Sequence, residues 1–160
     1  MDHAAALDAK ILTVSDGVVA GTRTDASGPA LAERLADAGF RVVDQRVVAD
    51  GRANVGEAIV ELAEGFAGLV VTTGGTGFAP RDETPEGTAV VLDRHAAGLA
   101  AAMQAAHPMA KLSRGIAGTR GSALILNVPG SPKGAVESLE AVLDVLPHAL
   151  RLLAGVDDAH

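Results

Sequence analysis

The stretch VVTTGGTGFAPRDETPE, residues 70–86, sets side by side the residue types that a phosphorylated ligand needs. An apolar run ends at Thr72-Thr73, and Gly74, Gly75 and Gly77 follow within four positions. Glycines permit positive φ and let a ligand approach backbone N–H groups closely. Thr73 and Thr76 add hydroxyl donors. Arg81 offers a guanidinium fork that matches phosphate oxygens. Asp82 beside it is misplaced for phosphate contact alone, but carboxylates next to phosphates hold Mg²⁺, which bridges phosphate oxygens. Thr84-Pro85 has the form of a helix start, a capping residue followed by proline at the first helical position. Helix N-termini attract anions through unpaired N–H groups and the macrodipole.

Other loops carry similar chemistry. TVSDG places Ser15, Asp16 and Gly17 after an apolar run, and VADGR places Asp50 after another. NVPGSPKG runs through Pro129, Gly130, Ser131, Pro132 and Lys133, with Ser131-Pro132 as a second cap-and-proline pair and Lys133 as a further cation. Each loop alone has a plainer reading. Asp16-Gly17 and Asp50-Gly51 are common turn pairs, Ser131-Pro132 is sufficient as a helix cap, and Arg81-Asp82 as a surface ion pair contributes little. Their shared position in the fold favours a site.

The elements around these loops alternate. Residues 10–14, 41–48, 68–72 and 122–128 read as strands, the last and first as buried apolar runs. Helical spacing appears from Pro29 to Gly39, over 55–66, from Thr84 to about His95, over 98–106, and from Ala135 to Leu146, where Pro147 interrupts it before HALRLLAG. Residues 108–121 read as loop with room for a short strand, and 1–9 and 156–160 as tails. Strands alternating with helices imply βαβ units, hence one α/β domain over 1–160, a mostly parallel sheet with helices on both faces. In such a sheet ligands bind beyond the carboxyl ends of the strands, where all of these loops must gather.

Composition narrows the function. The chain has 160 residues, 48% hydrophobic, with a net charge of −7 and an aromatic content of 2%. That argues against a nucleic-acid or anionic membrane surface as partner, and there are too few rings for base stacking. There is no cysteine, so thiolate metal sites and thiol nucleophiles are absent, and the five histidines are scattered without metal spacing. No apolar run approaches the ~20 residues of a membrane helix. The opening MDHAAALDAK has acids where a secretory signal has bases, which reads as cytoplasmic. The glycine stretch lacks the GK[ST] of a P-loop and is not completed to GxGxxG, because Pro80 stands at the last position.

TTGGTGFAPRDETPE, taken with NVPGSPKG and TVSDG…SGPAL, closely resembles the MoaB/Mog family of molybdenum-cofactor biosynthesis proteins, from about Ile11 to Gly155. The resemblance implies a three-layer α/β/α fold, a homotrimer, and molybdopterin as substrate, a pterin with a dithiolene and a terminal phosphate. Active members transfer AMP from Mg-ATP to that phosphate and release pyrophosphate. Position by position, the family's acidic pair falls on Asp50 and Asp82, both catalytic and Mg²⁺-binding candidates. Its TTGGTG loop falls on 72–77, the serine of its LSR element on Ser113, and its PGSPK loop on Pro129–Lys133. Ser15, Asp16 and Gly17 are candidates for the nucleotide side; which other loop holds pterin and which adenylate is open. Gly17 stands where the family commonly has larger polar residues, and the segment before Ser113 is trimmed. The alternative is a non-catalytic molybdopterin carrier. Partners are then small molecules, with transient contacts to other cofactor-biosynthesis enzymes.

Overall fold

The computed structural model describes residues 7–156. In chain order the elements are β1 (Leu7–Val14), α1 (Asp16–Val19), α2 (Ser27–Asp37), β2 (Phe40–Val48), α3 (Arg52–Ala63), β3 (Gly68–Thr73) and α4 (Thr84–Ala89). They continue with β4 (Arg94–His95), α5 (Ala97–Gln104), a 3₁₀ turn (Pro108–Leu112), β5 (Ala117–Arg120), β6 (Ala123–Val128), α6 (Pro132–Glu140) and α7 (Leu146–Leu153). The strands form one sheet in the order β2-β1-β3-β6-β5-β4. The first four positions are parallel; β5 and β4 run antiparallel at the far edge.

The strand sequences explain the layering. β3 and β6 are buried at every position, as strands covered on both faces must be. Alternate side chains point to opposite faces. Ile11, Leu69, Val71, Leu124 and Leu126 pack with Leu31 and Leu35 of α2, Leu139 of α6 and Leu146 of α7. Leu12, Val14, Val70 and Ile125 pack with Val55, Ile59 and Leu62 of α3. Each such aliphatic side chain contributes about 1.5–3 kcal/mol on burial. The result is helices on both faces of a mostly parallel sheet, the three-layer α/β arrangement expected from the sequence.

The topology fixes where a ligand goes. From β1 the chain passes along one face through α2 to β2, then returns along the other through α3 to β3 on β1's far side. The strand order therefore reverses between β1 and β3, and their carboxyl ends open a crevice.

Several expected boundaries move. The helix expected from Thr84 to His95 stops at Ala89, and Arg94-His95 becomes a strand against β5. The antiparallel edge captures the backbone that a helix would use: Arg120 Nη1 donates to the Val91 carbonyl at 2.9 Å, and the Asp93 amide donates to Thr119 at 2.7 Å. The helix expected over 55–66 runs three residues earlier, Arg52–Ala63. The helix expected from Ala135 ends at Glu140, and Pro147 lies in the first turn of α7 instead of interrupting a helix. Residues 7–9, expected in a tail, are strand, with Ala9 fully buried. Residues 1–6 and 157–160 of the expected tails lie outside the described residues. Among the described residues no helix is long and apolar enough to cross a membrane.

One buried polar knot ties the site end of the sheet together. Asn127 on β6 donates to the hydroxyls of Thr72 on β3, at 2.9 Å, and Thr88 on α4, at 3.0 Å, and its Oδ1 accepts from the Ile116 amide at 3.1 Å. Replacing one partner of a buried bond leaves the others unsatisfied, at about 1–3 kcal/mol for each group. Asn127→Leu should therefore lower stability by about 3 kcal/mol in urea unfolding, and Thr72→Val by less, because it orphans only one donor.

Candidate active site

A cavity of about 460 Å³ lies at the crevice. Thr13, Ser15 and Asp25 line it from the β1 side, Asp50 from the end of β2, Thr73, Gly74, Gly75 and Asp82 from the loop after β3, and Gly130, Ser131 and Pro132 from the loop after β6. Residues from all four strand-end loops singled out in the sequence thus meet at one place. An open hollow of about 540 Å³ at another part of the surface, between Phe66 and Arg120, contains none of the residues singled out above.

The loop after β3 is set by its glycines. Gly74 has φ +100° and Gly75 φ +68°, where L side chains are strained. A Cβ on Gly74 would run into the Val14 carbonyl, and one on Gly75 into the Thr84 hydroxyl. The Gly74 amide donates to Val128 at 3.2 Å, which draws the loop across the ends of β1 and β6. Among the described residues, no protein acceptor is bonded to the amides of Gly75, Thr76 and Gly77. These N–H groups are the feature that suits an anion.

The threonines do something other than the sequence suggests. Thr84 is not the cap of α4, whose cap position is Glu83. Its buried hydroxyl donates to the Gly74 carbonyl at 2.9 Å, and its amide to Gly75 at 3.0 Å, closing the loop on itself. Thr73 Oγ1 donates to the Pro129 carbonyl at 2.8 Å, joining the β3 and β6 loops. Thr76 is buried too. The Thr73 and Thr84 hydroxyls tie the loop together, and Thr73 also lines the cavity. Ser131 caps α6 as expected, its Oγ accepting from the Gly134 amide at 3.1 Å, with Pro132 at the first helical position.

The charged residues form a cluster across three loops. Asp16 and Asp50 exchange bonds: Asp50 Oδ2 accepts from the Asp16 amide at 2.9 Å, and Asp16 Oδ1 from the Asp50 amide at 3.1 Å. Arg81 grips Asp16 with Nε at 2.6 Å and Nη2 at 3.1 Å, and Nη2 also donates to the Asp50 carbonyl at 2.8 Å. Arg81 is thus held by Asp16 at the rim, its side chain 61% exposed, where the sequence suggested direct phosphate contact. The Arg81 bond holds the Asp16 carboxyl below its ordinary value. Asp50 is pushed above its own, chiefly by burial and also by the nearby charges of Asp16 and Asp82. Asp82 Oδ2 accepts from the Ala79 amide at 3.1 Å.

Of the site residues expected from the sequence, Asp16, Gly17, Thr76, Gly77, Arg81, Thr84 and Pro129 stand beside the cavity without lining it, and Ser113 and Lys133 also lie outside its lining. Ser113 follows the 3₁₀ turn and its Oγ accepts from the Gly115 amide at 3.2 Å. Lys133 is 89% exposed and sits 3.9 Å from Glu137 on its own helix. Conversely, Asp25 lines the cavity and was not singled out. Its Oδ2 accepts from Thr13 at 2.8 Å and its Oδ1 from the Gly28 amide at 3.0 Å, so it caps the start of α2. The spacing Asp25-x-x-Gly28 was the available signal. Arg114 was missed as well; it binds the loop from behind.

The donor set suits a hard cation. Asp50 and Asp82 both bring carboxylate oxygens to the cavity lining, and no donor is bonded to Asp50 Oδ1 among the described residues. Among the described residues no group of three or more His, Cys, Asp or Glu could hold a metal by itself. Two carboxylates with the remaining positions left to phosphate and water is the usual arrangement for Mg²⁺.

A family model described as "Probable molybdopterin binding domain" matches residues 10–148. The solved molybdopterin biosynthesis enzyme MoaB of Thermus thermophilus is 50% identical, covers 93% of this chain and 97% of its own, and superposes with a TM-score of 0.88. The chain belongs to the MoaB/Mog family. Two curated relatives of this MoaB/Mog protein are both named molybdopterin adenylyltransferase. One, from Helicobacter pylori, is 37% identical over 91% of this chain and 86% of its own length. The other, from Escherichia coli, is 36% identical over 91% and 84%.

The raised Asp50 value gives a test in this MoaB/Mog protein without ligand. Its folded form binds a proton more tightly than the unfolded chain. The stability this contributes is fully present below the ordinary value of 3.8 and is lost as pH rises through the raised one. Asp50→Asn should raise the melting temperature at pH 7, with the difference vanishing below the ordinary value.

Proposed function

We propose that this MoaB/Mog protein transfers AMP from Mg-ATP to the terminal phosphate of molybdopterin and releases pyrophosphate. The observation that carries the reading is the meeting of Asp50, Asp82 and Gly75 in one cavity, with Gly75 opening a run of three amides, 75–77, that have no protein acceptor among the described residues. Curated relatives named for this activity, alike over most of the chain, support it.

The reaction joins an oxygen of the pterin phosphate to the α-phosphorus of ATP and breaks the α–β bridge, so pyrophosphate takes the electron pair. The nucleophile comes from the substrate, which agrees with a cavity that holds no cysteine or activated serine. The protein then has to align two anions and offset their repulsion, by positioning and fixed electrostatics. The amides of Gly75, Thr76 and Gly77 hold phosphate oxygens. Ser15 and the α6 start at Ser131 border the same space from the β1 and β6 sides. Asp50 and Asp82 hold Mg²⁺, which neutralises charge on the phosphates and the leaving group. Lowering the charge between the carboxylates would relieve what burial and like charge impose on Asp50. Arg81 is held by Asp16 at the rim, outside the cavity lining, and offsets that carboxylate. The proposal includes a homotrimeric cytoplasmic protein in transient contact with other cofactor-biosynthesis enzymes.

A non-catalytic molybdopterin carrier is the competing reading. The engagement of Arg81 by Asp16 and the exposure of Lys133 favour it, since both cations then lie away from the cavity. Purified protein with molybdopterin and Mg-ATP should yield adenylylated pterin and pyrophosphate, and none without Mg²⁺. Asp82→Asn should lower turnover by about 10²-fold or more, the loss expected when several kcal/mol of charge stabilisation are removed, while still binding molybdopterin. Wild-type protein that binds both substrates and forms no product would establish the carrier instead.

A further inference from the structure

We propose that Arg114 is a positioning residue that fixes the Asp82 carboxylate against the sheet; this rests on the reading of Asp82 as a metal ligand given above. The loop after β3 carries Asp82 on a stretch, residues 78–81, that is exposed throughout. The one side-chain bond of Asp82 goes to the Ala79 amide, inside the same loop, so it cannot set where the carboxylate stands relative to β1 and β2. Arg114 supplies that reference from behind.

Its contacts span the loop from entry to exit. The Arg114 amide donates to the Thr76 carbonyl at 2.8 Å and Nε to the Gly77 carbonyl at 2.8 Å. Nη2 donates to the Asp82 carbonyl at 2.7 Å, and Nη1 to Glu86 Oε2, on the first turn of α4, at 2.6 Å. The planar guanidinium thus ties Gly77, Asp82 and the helix that follows, and the amide adds Thr76. The same contacts turn carbonyls 76 and 77 toward Arg114. Glu86 is what makes the arrangement stable: its carboxylate, held below the ordinary value by the Arg114 bond, orients the fork. Lysine has the charge but not the fork, so it can satisfy only part of this set. Ser113 is then placed by the neighbour it precedes, which gives the serine-arginine pair a role without contact to the cavity.

The test is a double-mutant cycle on metal binding. Mn²⁺ affinity is measured by electron paramagnetic resonance with a non-hydrolysable α,β-methylene ATP analogue, for wild type, Arg114→Lys, Asp82→Asn and the double variant. Removing a group that orients a metal ligand lowers affinity about tenfold or more. Arg114→Lys should show that loss, and the double variant should lose no more than about twofold beyond Asp82→Asn, because both act on one carboxylate. Multiplying losses, an unchanged Arg114→Lys, or no Mn²⁺ site sensitive to Asp82 would overturn the proposal. Should Arg114→Lys fail to fold, Glu86→Gln, which releases one side of the fork, carries the same expectation at smaller size. In turnover, kcat should fall while KM for molybdopterin stays within about twofold. The metal arm needs no turnover, so a wild type that binds Mn²⁺ and nucleotide without transferring AMP would sink the transferase reading and leave the Arg114 result standing on its own.

Discussion

The site depends on the loop after β3 crossing the ends of β1 and β6 at a distance that only glycine permits. Gly74 passes so close to the Val14 carbonyl that any Cβ would collide with it, while its amide is tied to Val128. That approach follows from topology. The parallel strands reverse order between β1 and β3, so the loops leaving them diverge and open a crevice. A loop with ordinary side chains would stand off from β1, and Asp82 would move away from Asp50. With glycines at 74 and 75 it stays close to β1, and both line the cavity with Asp50 and Asp82.

Charge is arranged as carefully as backbone. Asp25, Asp50 and Asp82 line one cavity with Asp16 beside it, and burial pushes the Asp50 carboxyl above its ordinary value. Arg81 offsets Asp16 at the surface, where it is exposed and contributes little to stability. Asp50 and Asp82 line the cavity and form no ion pair among the described residues. A protein folding for stability alone would not retain that charge. A divalent cation bridging to phosphate would balance it, which is the electrostatic logic of adenylyl transfer.

Much of this was legible in the sequence, for a physical reason. Strands buried on both faces show as continuous apolar runs, and strand-to-helix loops carry glycine, proline and capping residues at fixed positions. The loops of Asp16, Asp50, the TTGGTG stretch and Ser131 were therefore found, and sheet topology brings them together. What stayed hidden depends on partners distant along the chain. Thr84 has the pattern of a cap, but its hydroxyl goes to Gly74, which no local rule reports. Arg81 looks like a phosphate ligand until Asp16, 65 residues away, is seen to hold it. Arg94-His95 belongs to a helical pattern and pairs with β5 only because that edge is available. Arg114 sits in a stretch that reads as loop, and its importance appears only when its partners at 76, 77, 82 and 86 are known.

The central claim is that Asp50 and Asp82 together hold the metal that serves the phosphates. Anomalous scattering from crystals grown with Mn²⁺ and a non-hydrolysable ATP analogue tests it most directly. A peak is expected within coordination distance of both carboxylates, with a phosphate oxygen as a further ligand and the amides of 75–77 on phosphate. A nucleotide bound elsewhere, or a metal peak that touches neither aspartate, would contradict it.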